Sequence, residues 1–142
     1  MLREIAECGA AGGRLALVYE VYAFDLSVRG AYLDTTRGFF NGAAIFVWPH
    51  GREAEPCSLK IAASEFAATQ NWRIATSLPI EQVDDAGFGT YLVANYDELI
   101  DHPVEISNFE PYTFEVSGIE HRLALCGKHN GDMDRLIGDL RS

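Results

Sequence analysis

Between Leu15 and Val28 the segment LALVYEVYAFDLSV carries large apolar side chains at both parities. Leu15, Leu17, Tyr19 and Val21 share one, and Val18, Tyr22 and Phe24 share the other. An extended chain alternates its faces with period two, and β-branched and aromatic residues suit a pleated surface. The segment therefore predicts a strand that is apolar on both faces, as in the centre of a sheet. Such a strand must be covered from two sides, so the first expectation is a layered β domain. A chain of 142 residues is long enough for one domain that buries about 70% of its unfolded surface. With 48% hydrophobic and 23% charged residues, the balance is that of a soluble folded protein.

Further strand candidates follow. Residues 40–48 end at Pro49-His50-Gly51, which suits a turn and not a ladder. Residues 58–61, 72–76, 88–94 and 104–109 are shorter candidates, and 62–69 reads equally as a helical turn or a loop. Tyr112, Phe114 and Val116 alternate with polar residues, Ser117-Gly118 makes a turn, and 121–126 returns, which is the clearest hairpin in the chain. The period then changes. Met133, Leu136, Ile137 and Leu140 fall on one helical stripe, with Asp132 placed to cap and Asp134 beside the positive end of the helix dipole. The stripe is still running at Ser142, so this helix is expected to continue in a longer natural chain and to pack only loosely here. Residues 1–13, ending in Gly9-Ala10-Ala11-Gly12-Gly13, read as a flexible leader or a cut end.

Charge and cysteine content remove several function classes. Eleven Lys and Arg against 21 Asp and Glu give a formal charge of −10, which repels a phosphate backbone, so nucleic acid is not an expected partner. No apolar run approaches the roughly 20 residues that span a bilayer, and the first residues do not read as a secretory signal. Cys8, Cys57 and Cys126 are odd in number and far apart. They fit free thiols in a reducing, cytoplasmic setting, with a periplasmic chain bearing a Cys57–Cys126 bridge as the alternative.

Catalytic motifs are sparse. A zinc peptidase needs two histidines one helical turn apart with a glutamate between them, and no H-E-x-x-H occurs. Glu120-His121 is the nearest fragment. It lies in a predicted strand, where four residues span about 13 Å, so His121 reads as a strand residue with a local hydrogen bond. Cys126, His129 and Asp132 sit three apart in a glycine-containing loop. They are a weak candidate set for one cation, against the simpler reading of loop chemistry. Neither a phosphate-binding glycine loop nor a nucleophile elbow is present.

The densest charged feature is YDELIDHPVE, residues 96–105, with carboxylates at Asp97, Glu98, Asp101 and Glu105. Pro103 keeps His102 out of the helical region, so a turn starting at Asp97 stops there with Asp97 and Asp101 on one face. A solvated loop is the plain reading.

Taken in order, YEVYAFDLSVRGAYLD (19–34), RGFFNGAAIFV (37–47), WRIATSLP (72–79), YDELIDHPVE (96–105) and the closing GIEHRLALCG with DMDRLIGDL resemble the N-terminal domain of glycyl aminopeptidases. The resemblance implies a larger enzyme in which a β domain precedes a helical catalytic domain with a thermolysin-like zinc site. On that basis residues 14–142 are a partial, non-catalytic N-terminal β domain, mainly antiparallel and sandwich-like, that ends in the start of a helix. It would support the catalytic domain of the same polypeptide and wall its substrate cleft. Zinc and peptide substrate belong to the parent enzyme, and no catalytic or metal-binding residue carries over to this chain, which alone is expected to be inactive. Holding a protonated substrate amine requires carboxylates in a partly desolvated cleft. Glu105 is the first choice for that contact and Asp101 the second, the competing role being to accept backbone or Arg hydrogen bonds. A free-standing β-sandwich binding module is the rival, and it would be favoured if Trp48 and Trp72 were exposed on one face.

Overall fold

The structure is a computed structural model that describes residues 2–10 and 13–141, with side chains from Ala16 onward. Strands β1 (Leu2–Ala10) and β2 (Gly13–Val21) pair antiparallel along their whole length, from Leu2 opposite Val21 to Ala10 opposite Gly13. The expected loose leader is thus a strand over residues 2–10. An extended β2 presents a row of backbone donors and acceptors, and this segment satisfies them. Ala11 and Gly12, also part of that expectation, lie outside the described residues.

Strand β3 (Ala31–Leu33) turns into β4 (Arg37–Phe40). Helix α1 (Gly42–Ile45) follows, where a strand over 40–48 was expected. Asn41 decides the difference: its side chain accepts from Ala43 N at 3.0 Å and starts a helical turn, and Gly-Ala-Ala offers no β-branched side chain to hold an extended one. Next come β5 (Cys57–Ile61), α2 (Glu65–Thr69, capped by Ser64), β6 (Arg73–Ala75), β7 (Ile80–Val83) and β8 (Gly89–Val93). The chain ends with α3 (Tyr96–Asp101), β9 (Val104–Ser107), β10 (Glu110–Val116), β11 (Ile119–Leu125) and α4 (Met133–Leu140).

The pairings among these strands are antiparallel. They build a four-stranded sheet in the order β3-β4-β9-β6, a three-stranded sheet in the order β5-β8-β7, and the hairpins β1-β2 and β10-β11. The core draws Phe40, Val104 and Ile106 from the first sheet and Tyr91 and Val93 from the second, with Phe46, Trp72, Phe88 and Leu99 packed among them. A mainly antiparallel β domain with a helix at its end is the observed class. At the tip of β10-β11, Ser117 and Gly118 both have positive φ (51° and 80°), the geometry a two-residue hairpin turn requires.

Neither tryptophan forms an open platform. Trp72 is buried, edge-on to Phe66, and Trp48 is half-buried and stacked on Tyr96 with centroids 5.4 Å apart. Helix α4 is capped as expected, Asp132 accepting from Arg135 N at 3.0 Å, yet none of its residues is buried.

Candidate functional site

The acidic segment is built around the cap of α3. Asn95 Oδ1 accepts from Glu98 N at 2.8 Å, and Glu98 Oε2 accepts from Ala94 N at 2.5 Å. This reciprocal arrangement, close to a capping box, uses Glu98 to start the helix. Leu99 is buried and anchors the turn, while Asp97 and Asp101 face solvent. His102 is extended ahead of Pro103 (φ −108°, ψ 101°), as the proline demands, and its Nδ1 lies 2.7 Å from Ser77 Oγ.

Glu105 stands elsewhere. It sits on β9, inside the four-stranded sheet, opposite Phe39 on β4 and Ala75 on β6. Arg37 Nη2 donates to Glu105 Oε2 at 2.5 Å, with side-chain exposures of 34% and 13%. The Arg37 guanidinium also lies over the Phe39 ring. The contact is single, and Arg37 Nε and Glu105 Oε1 are buried without a hydrogen-bond partner. Cys126 closes the group: its Sγ is 3.4 Å from Ser107 Oγ, and burial, followed by the neighbouring Glu105 carboxylate, raises the thiol pKa. A thiol so placed stays protonated and is a poor nucleophile. The two carboxylates singled out from the sequence therefore do not form one constellation: Asp101 is open and Glu105 is committed to Arg37.

Arg37 was not singled out from the sequence. Nor was a cleft of about 810 Å³ lined by β6, β7 and the β10-β11 hairpin, with Arg73, Asp84, Asp85, Phe109 and Arg122 on its walls. Arg73 lies over the Phe109 ring at 5.7 Å. Neither Glu105 nor Asp101 lines this cleft, although Pro103 does.

The candidate cation ligands turn to separate partners. Cys126 faces Ser107, His129 Nε2 lies 3.8 Å from Glu110 Oε2, and Asp132 caps α4. His121 stacks on Phe114, and its Nδ1 lies 3.0 Å from Ile119 O. Among the described residues no group of three His, Cys, Asp or Glu is placed to hold a metal. These residues do not fit a zinc ion, and no zinc chemistry is assigned to them. Cys57 and Cys126 are free thiols with different neighbours, and no described helix is long and apolar enough to cross a membrane.

Residues 6–108 match the model of the Peptidase M61 N-terminal domain. The chain belongs to this family. The M61 N-terminal domain described above also superposes on a crystal structure of the aminopeptidase N family protein from Idiomarina loihiensis, with a TM-score of 0.86 and 33% identity. The match covers 98% of this chain and 24% of that one, so the chain spans about a quarter of the length of that protein. No curated protein matches. The resemblance drawn from the motifs, to the N-terminal domain of an aminopeptidase-like protein, agrees with both findings.

Proposed function

We propose that this chain is the non-catalytic N-terminal domain of a zinc-dependent aminopeptidase, which it serves by supporting the catalytic domain and walling one side of the substrate cleft. The observation that carries the reading is the match of nearly the whole chain to a quarter of an aminopeptidase N family protein, joined to the M61 family match. The incompletely covered apolar stripe of α4 supports it: Met133 and Ile137 are half-buried and Leu136 and Leu140 exposed, and an amphipathic helix with no fully buried residue needs more partner surface. Partners are then the catalytic domain of the same polypeptide and a peptide substrate. Zinc is held by residues outside this chain, and the half-buried free thiols Cys57 and Cys126 suit a cytoplasmic setting.

Within this reading Asp101, exposed at the end of α3, is the carboxylate we assign to the cleft wall. Glu105 fixes the sheet through Arg37. The test is hydrolysis of glycyl and alanyl p-nitroanilides by the longer protein, with loss of activity under a chelator and recovery on adding zinc, and none from the 142-residue chain alone. A longer protein without such activity, or hydrolysis by this chain alone, overturns the proposal.

A further inference from the structure

Large apolar side chains of β2 and of the irregular segment that follows it are uncovered. Tyr19, Val21 and Ala23 face inward: Tyr19 donates to Ile45 O at 2.6 Å, Val21 packs against the core and Ala23 is buried. Their neighbours Val18, Tyr22 and Phe24, and Leu26 and Val28 in the irregular stretch and turn that follow, are exposed. Val18 is 51% exposed, Tyr22 85%, Phe24 64%, Leu26 72% and Val28 76%. The row is held in place. Asp25 N donates to Ala31 O at 2.9 Å and Leu33 N to Ala23 O at 3.1 Å, so residues 23–33 form an irregular hairpin. Its rings form a continuous series, Phe24 lying 5.6 Å from Tyr32 and 6.3 Å from Tyr22 between centroids. A monomer seldom leaves so many large apolar side chains together in water.

We infer that this face, Val18, Tyr22, Phe24, Leu26 and Val28, is the surface on which the remainder of the polypeptide packs. The inference rests on the function proposed above. Three other occupants fit less well. A sugar platform needs polar partners beside its rings, whereas this row runs into Leu26 and Val28, and the nearby Asp34 already accepts from Tyr32 and Thr36. An anionic membrane is opposed by Glu20 and Asp25 within the row and by the net charge of −10. A second copy would have to bind from dilute solution, whereas a tethered domain is present at an effective concentration of about millimolar. The related Idiomarina chain holds about three-quarters of its length outside the matched part, which is ample material to cover the row.

The experiment is hydroxyl-radical footprinting of the longer protein and of the 142-residue chain, read at Tyr22, Phe24, Leu26 and Val28. The expected result is labelling several-fold slower in the longer protein at these residues, while Ile80, also exposed, serves as the reference for general shielding. In addition Y22S/F24S should lower the melting temperature of the longer protein by more than that of the shorter chain, which loses only the ring contacts of Phe24 with Tyr22 and Tyr32. Equal labelling in both proteins overturns the inference. So does concentration-dependent dimerisation of the longer protein that Y22S/F24S abolishes, since the face then belongs to a second copy. Aminopeptidase activity is measured on the same preparation. Activity without protection removes this interface and leaves the proposed function standing, and protection without activity does the reverse.

Discussion

Glu105→Gln separates two roles for one carboxylate. The substitution keeps the shape and removes the charge that Arg37 answers. Glu105 is 13% exposed and Arg37 34%, so the pair lies between a surface ion pair, worth at most about 1 kcal/mol, and a fully buried one, whose breakage costs about 3–5 kcal/mol. The amide oxygen of Gln still accepts from Nη2. Its NH2, however, replaces an oxygen in a position where Oε1 already lacks a partner, and it brings a second donor toward the guanidinium. A loss of about 2 kcal/mol is therefore expected, in the range of a hydrogen bond to a charged group. For a domain near 150 residues that lowers the melting temperature by about 4–8 °C. The assay is thermal unfolding followed by circular dichroism, with the Michaelis constant of the longer enzyme measured in parallel and expected to stay unchanged. Pairing Arg37→Met with Glu105→Leu should recover much of the loss, because apolar side chains of similar volume carry no desolvation cost. A raised Michaelis constant with an unchanged melting temperature refutes the reasoning and returns Glu105 to the substrate cleft. If neither quantity moves, the ion pair is only a solvated contact.

Asp34 is held at a pKa of about 2, chiefly by hydrogen bonds from the Thr36 hydroxyl and backbone N–H, then by Arg37 N and the Tyr32 hydroxyl. A folded-state value below that of the unfolded chain stabilises fully above about pH 4. That contribution fades as the pH falls toward 2, and an NMR titration of the Asp34 carboxyl with its midpoint near 4 would contradict it. Gly89 has φ +150° and would place a Cβ 2.1 Å from Gln82 O and 2.7 Å from Val83 Cα. Gly89→Ala should accordingly cost about 3 kcal/mol or more in denaturant unfolding, and a loss near zero would mean that β7 shifts freely. In α4, amide exchange should be fast in this chain, since no residue of the helix is buried; slow exchange throughout would show a packed helix.

The elements most legible in the sequence are those whose signals are local. The β10-β11 hairpin announced itself through alternation and Ser117-Gly118, and α4 through its stripe and the Asp132 cap. Pro103 located the end of α3 because a proline acts on its immediate neighbour. Legibility failed where a partner strand decides the outcome. Residues 2–10 lack a clean period yet pair with β2 along their length, and Ile80–Val83 is a mostly exposed edge strand without an apolar face. At residues 40–48 the apolar content suggested a strand, but a single cap at Asn41 outweighed it. Residues 15–28 read as one central strand in the sequence, but β2 ends at Val21 in a two-stranded sheet with β1, the chain turns at 27–30, and many of the apolar side chains of this stretch stay exposed.

The carboxylates show the same limit at the level of chemistry. Counting charges along 96–105 treats Glu98, Asp101 and Glu105 alike, but Asp101 is open to solvent while Glu98 and Glu105 are answered by different parts of the fold. Glu98 is answered within its own turn, by Ala94 N, which a cap pattern can reveal. Glu105 is answered by a residue 68 positions away, and only strand register brings the two together. Arg37 lies opposite Ser107, and Phe39 lies opposite Glu105. The guanidinium therefore has to run along the sheet to reach the carboxylate, a diagonal reach long side chains make readily. Had β4 and β9 paired one residue out of step, Arg37 and Glu105 would have pointed to opposite faces of the sheet and Glu105 would lack a cation. The Arg37 contact of Glu105 thus depends on the same register that buries Val104 and Ile106. A carboxylate tied to the core in this way is a better support for the sheet than a mobile partner for a substrate amine.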